Sequence, residues 1–155
     1  MINLIWAMDE NWLVGKDDLI PWHIKEDLLY FKSKVKGKTV VMGDTTYFSL
    51  KGYYKNRPLP YGKIYVASLD NNLKLEDAEV INDFKSFIEN YNEEIWVTGG
   101  ATIFKMALPY ADNLYISFIK GKYEGNIYFP KFDLNEYKLI WKEDTERVLF
   151  SLYTK

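Results

Sequence analysis

Asp27 is an acid in an apolar row. Between Trp22 and Lys36 the residues Ile24, Leu28, Phe31 and Val35 recur at steps of four, three and four, the period of one helix face. Asp27 follows Ile24 by three residues and precedes Phe31 by four, so it projects from that same face. No Lys or Arg shares the row: Lys25, Lys32 and Lys34 point elsewhere, and Lys36 lies beyond its end. A buried carboxylate without a counter-charge either finds a partner or takes up a proton. Such an acid, its pKa raised, suits proton donation to a bound heterocycle. The plainer alternative is an acid in the first turn of a helix, favoured by the helix dipole and half in water. Periodicity alone leaves both open.

Gly99-Gly100 is the second chemical signal. It sits between the strand-like run Glu94 to Thr98 and a helix expected to continue to about Leu108, where Pro109 stops it. Two residues without Cβ let a phosphate approach the main chain, and the helix start supplies unpaired N–H groups. A tight turn would use the same residues. There is no GxGxxG fingerprint and no GxxxxGK[ST] loop, so neither the usual dinucleotide motif nor a P-loop is indicated.

The elements that must carry these residues read as alternating strands and helices. Ile2 to Met8, Lys38 to Gly43 and Lys63 to Ser68 are short apolar runs of the kind buried on both sheet faces. A short helix is predicted from Thr46 to Leu50, with an irregular Lys51 to Gly62 after it because of Pro58 and Pro60. Phe84, Phe87, Ile88 and Tyr91 mark another helix. Strand texture returns at Leu114 to Ile119, near Tyr137 to Trp141, and at Arg147 to Tyr153. The segment Asp9 to Trp22 reads as a long polar loop, a candidate lid. The pattern predicts an α/β domain over residues 1–155, largely parallel, with antiparallel closing strands.

Composition narrows the chemistry. The chain has 155 residues, 48% of them hydrophobic, enough for one real core. It has no cysteine and a single histidine, His23, which excludes disulfides, thiolate chemistry and a histidine metal cluster. A net charge of −2 and a pI near 5.5 give no electrostatic case for nucleic acid. No apolar run approaches a membrane span, and the first residues lack a basic leader, so a cytoplasmic protein is expected.

Taken in order, the pieces resemble dihydrofolate reductase along nearly the whole chain. They are Leu4-Ile5-Trp6-Ala7, Val14-Gly15, Pro21-Trp22, Asp27-Leu28, Phe31-Lys32, Val41-Met42-Gly43 with Thr46, and Arg57-Pro58-Leu59-Pro60. Thr98-Gly99-Gly100-Ala101 with Ile103-Phe104, Leu114-Tyr115, Glu124-Gly125 and Phe129-Pro130 complete the set. The resemblance implies a three-layer α/β fold with a central eight-stranded sheet, parallel except for its C-terminal strand. It implies hydride transfer from NADPH to dihydrofolate, with Asp27 as the single active-site carboxylate, holding the pterin and helping protonate N5. Trp22 would hold a water near the acid, and Ser117 would bond it where the family carries Thr.

By the same resemblance Ile5, Trp6, Leu28, Phe31, Lys32, Ser49, Leu50, Arg57 and Leu59 would border the substrate. Ala7, Leu13, Val14, Gly15, Lys16, Asp17, Asp18, Leu19 and Ile20 would cover the nicotinamide. Gly43, Asp44, Thr45, Thr46, Ser68 and Leu69 would meet the cofactor from one side, and Thr98, Gly99, Gly100, Ala101, Thr102, Ile103 and Phe104 from the other. A monomer is expected, with no nucleic-acid or membrane partner.

The chain departs from the pattern at four positions. Asp44, with Asp70 nearby, replaces cations at the 2′-phosphate of NADPH, which makes NADH use plausible. Gly62, with Lys63 beside it, stands where an Arg usually grips the glutamate carboxylate. Phe104 replaces a Tyr. Two rivals follow: a related reductase of a tail-less pterin or pyrimidine, and a noncatalytic nucleotide-binding module.

Overall fold

The computed structural model describes residues 1–17, 20–55 and 57–155. Asp18 and Leu19, expected over the nicotinamide, lie outside the described residues. Among the described residues, ten strands and four α-helices follow one another, beginning with β1 (Ile2–Met8), β2 (Leu13–Gly15), α1 (Lys25–Val35), β3 (Val40–Gly43), α2 (Asp44–Tyr54), β4 (Ile64–Ala67) and β5 (Glu79–Ile81). Then come α3 (Phe84–Asn90), β6 (Ile95–Val97), α4 (Ala101–Ala107), β7 (Asn113–Ile119), β8 (Ile127–Tyr128), β9 (Lys138–Asp144) and β10 (Val148–Thr154).

Eight strands form one sheet in the order β5-β4-β3-β6-β1-β7-β10-β9. Every pairing is parallel except those of β10, which runs against both neighbours. The expected architecture is therefore present. Side-chain alternation builds the layers. From β1, Leu4, Trp6 and Met8 join one apolar cluster with Ile103, Phe104 and Ala107 of α4 and Phe84 and Ile88 of α3. Ile5 points the other way, into a second cluster with Val35 of α1 and Tyr47 of α2.

The differences from the sequence reading are local. The supposed loop Asp9 to Trp22 contains β2, paired antiparallel with β8. Asp9 shapes its base: fully buried, its Oδ1 accepts from the main-chain N–H of Asn11 and Leu13, and its Oδ2 from that of Tyr123. The second helix starts at Asp44, not Thr46, and runs to Tyr54, not Leu50, shortening the loop behind it. Gly43 caps it, and the acidic Asp44 in its first turn suits the dipole. β5 was not anticipated; three residues carry too little pattern to be seen without their partner β4.

Candidate active site

A cleft of about 1010 Å³ lies across the carboxyl ends of the parallel strands, the usual ligand position in such sheets. Asp27 enters it from the first turn of α1. The expected apolar row is buried at its ends, Ile24 and Val35, and open between them, with Leu28 at 47% exposure. Its open middle is cleft wall. Burial pushes the Asp27 carboxyl above its usual range, while the donors of Trp22 and Ser117 beside it pull the other way and the neighbouring Glu26 adds to the rise. Ser117 is placed by the register of β7 on β1, opposite Ala7.

Burial leaves three polar side-chain atoms without a protein partner among the described residues: Trp22 Nε1, Tyr30 Oη and Thr98 Oγ1. All three residues line this cleft. Native interiors rarely leave such groups unpaired, so their concentration here points to a polar ligand. Trp22 stands close enough to Asp27 to lower its pKa, yet its buried N–H has no acceptor at hydrogen-bond geometry.

Across the cleft two helix N-termini meet. Gly43 caps α2 and Gly100 caps α4, and neither cap carries a side-chain hydrogen bond to the helix. The Gly43 N–H donates to the Gly99 carbonyl at 2.8 Å, tying the two ends together. Gly99 adopts φ +119, a conformation L side chains avoid. A Cβ at Gly100 would come 3.5 Å from Thr46 Oγ1. The result is a narrow cradle of free N–H groups suited to phosphate.

A sequence model of the family described as dihydrofolate reductase matches residues 1–150. The dihydrofolate reductase of Bacillus subtilis is 37% identical, over 92% of this chain and 83% of that one. The dihydrofolate reductase of Mycoplasma genitalium is 32% identical, over 100% and 98%. The chain belongs to the dihydrofolate reductase family. Among solved structures, the dihydrofolate reductase of Enterococcus faecalis complexed with NADP(H) and RAB-propyl superposes with a TM-score of 0.85, at 27% identity over 99% of this chain and 95% of that one.

For this dihydrofolate reductase family member, the cleft gathers most residues named from sequence. Of those expected to meet the substrate, Ile5, Trp6, Trp22, Asp27, Leu28, Phe31, Ser49, Leu50 and Ser117 line it. Of those expected over the nicotinamide, Ala7, Val14, Gly15, Asp17 and Ile20 line it. Gly43, Asp44, Thr45, Thr46, Ser68 and Leu69 face Thr98, Gly99, Gly100, Ala101, Thr102, Ile103 and Phe104 around the cradle. Trp6 stacks its ring on Phe129 in the core, with centroids 3.9 Å apart.

Five named residues stand outside the lining. Leu13 is fully buried in the core, and Leu59 packs in the cluster with Ile5. Lys16 and Lys32 are not among the lining residues. Arg57 donates to the Tyr54 carbonyl at 3.3 Å and stacks over the Tyr54 ring.

The departures from the family pattern take definite form. Gly62 does not face the cleft: a Cβ there would stand 2.7 Å from the Gly37 carbonyl oxygen. Lys63 pairs with Glu79 at 3.3 Å. Lys51 on α2 pairs with Asp77 at 2.9 Å. Sequence reasoning missed Tyr30, Tyr61, Ala67, Ile81, Asn82, Asp83, Phe84, Met106 and Ile127 as lining residues. Burial holds the Tyr61 and Tyr30 hydroxyls up at about 12, so both stay protonated donors. Asp83 carried a readable signal as the cap before α3, where it accepts from Ser86 N, but nothing local tied it to the cleft.

Proposed function

We propose that this chain reduces dihydrofolate to tetrahydrofolate, with NADPH as hydride donor. The observation that carries the reading is Asp27: one half-buried carboxyl, its pKa raised by burial, opposite a glycine-capped cradle in the same cleft. NADPH, when bound, supplies the hydride that reaches pterin C6. The chain supplies the rest. Asp27 holds the pterin's amino group and ring N–H by paired hydrogen bonds and keeps a proton available for N5. Ser117 and Trp22 orient its carboxyl. Ile5, Leu28, Phe31 and Leu50 wall the ring system and thin the water around it, which strengthens the electrostatics at the reacting atoms. Of the residues expected over the nicotinamide, Ala7, Val14, Gly15, Asp17 and Ile20 line the cleft and act as its cover.

The reading takes residues 1–155 as one domain, working as a monomer in the cytoplasm. Adding dihydrofolate to the protein and reduced nicotinamide dinucleotide should bleach the nicotinamide absorbance at a catalytic rate. No bleaching with dihydrofolate or a tail-less dihydropterin leaves a noncatalytic module, and bleaching with the dihydropterin alone transfers the activity to the tail-less substrate.

A further inference from the structure

The cleft extends well beyond Asp27. Ser117 on β7 and Ser68 at the end of β4 lie four strands apart in the sheet order, roughly 19 Å at ordinary strand spacing. The glycine cradle stands between them, at the ends of β3 and β6. A dinucleotide with its nicotinamide near β1 and β7 and its phosphates in the cradle must therefore lay its adenosine over the ends of β4 and β5. That end of the cleft is lined by Asp44, Ser68, Leu69, Asp70, Asn82 and Asp83. Among the described lining residues of the whole cleft there is no Lys, Arg or His.

The side-chain donors at this end are already committed. Ser68 Oγ donates to Asp44 Oδ2 at 2.8 Å, and Thr45 N donates to Asp44 Oδ1 at 2.7 Å. Asp70 N donates to Ser68 Oγ at 3.1 Å, and Asn82 Nδ2 donates to the carbonyls of Ser68 and Asp70. Lys51 on the adjoining helix is held by Asp77. What the side chains here leave for a ligand is acceptor oxygen and negative charge. A phosphate monoester is itself only acceptor oxygen and negative charge at neutral pH, whereas free ribose hydroxyls can donate to a carboxylate.

We infer that Asp44 makes this end of the cleft a site for an unphosphorylated ribose, so that NADH serves as donor with an efficiency no worse than about tenfold below that of NADPH. The inference rests on the reductase reading of the cleft and specifies its cofactor. Calorimetric titration of the full chain with NAD⁺ and NADP⁺, paired with kcat/KM for NADH and NADPH at saturating dihydrofolate, tests it. Dissociation constants and efficiencies within about tenfold, or favouring the unphosphorylated forms, are expected. Asp44→Arg should then tighten NADP⁺ by about tenfold or more while moving NAD⁺ little. Asp44→Asn, which keeps the side-chain shape, should move the ratio the same way by less. A wild-type preference for the phosphorylated forms above about tenfold overturns the inference and leaves the reductase intact. An unchanged ratio in both variants removes Asp44 from the discrimination and overturns it equally. Failure to bind either dinucleotide or to reduce dihydrofolate overturns the reductase reading with it.

Discussion

A Cβ at Gly62 would stand 2.7 Å from the Gly37 carbonyl oxygen and 3.2 Å from its carbon. That contact is main chain on main chain. It is pinned by the Gly62 N–H donating to Lys38 and the Gly37 N–H donating to Pro60. Gly62→Arg would therefore not restore a grip on the substrate's glutamate carboxylate. It should cost about 1–3 kcal/mol of stability, the usual range for overpacking. Urea unfolding should show a lower midpoint at unchanged slope. A variant with the wild-type midpoint and tighter dihydrofolate would mean that the loop yields and the side chain reaches the cleft.

The same position shows where sequence reading stops. Ile2 to Met8, Lys38 to Gly43 and Gly99-Gly100 were legible because apolar runs and paired glycines encode strand, turn and helix start locally. Asp27 was legible because it breaks its own helix pattern. Gly62 looked like a missing Arg because nothing in Pro58 to Lys63 reveals that Gly37 lies behind it. β2 and β8 are equally silent, since each is a short ribbon that exists through a partner over a hundred residues away. The cleft lining from Ile81 to Phe84 comes from a strand and turn that only the neighbouring β4 positions.

Asp9 ties the start of β2 to the segment before β8. Its two carboxylate oxygens serve three main-chain N–H groups, of Asn11, Leu13 and Tyr123, from a fully buried position. Asp9→Ala strands those donors and should cost about 3 kcal/mol, the order for losing a charged acceptor among buried groups. Limited proteolysis should then cut near β2 faster than in the wild type. Unchanged stability and unchanged cleavage would show that water replaces the carboxylate without loss.

Gly100 tests the cradle with little disturbance to the fold. Its φ of −83 is open to alanine, and the added methyl would meet Thr46 Oγ1 at an ordinary 3.5 Å. Stability should therefore change by less than about 0.5 kcal/mol. The methyl would nevertheless occupy the space where a phosphate must approach the main chain. Gly100→Ala should weaken nicotinamide dinucleotide binding by about tenfold or more, with dihydrofolate affinity nearly unchanged. Wild-type dinucleotide affinity in this variant would move the phosphates away from the Gly43–Gly100 junction.

Asp27→Asn separates proton supply from shape. The amide fills the same volume and can still donate a hydrogen bond, but it cannot pass a proton to the pterin. Turnover at neutral pH should fall by about 10²–10⁴-fold, the range for general acid assistance. The wild-type rate should decline as pH rises through the raised Asp27 pKa, and the variant should lose that dependence. Stability moves in the opposite direction. Burial raises the folded-state pKa above the usual 3.8, so folding favours the protonated acid. Its contribution is fully present below that usual value and is lost as pH rises through the folded-state pKa. At neutral pH the ionised carboxylate is therefore a burden, and Asp27→Asn should melt higher than the wild type. The gap should close as the pH is lowered below the usual carboxyl value. A variant with equal or lower melting temperature at neutral pH, and with the wild-type rate profile, would show that Asp27 is solvated as an ordinary first-turn acid and delivers no proton.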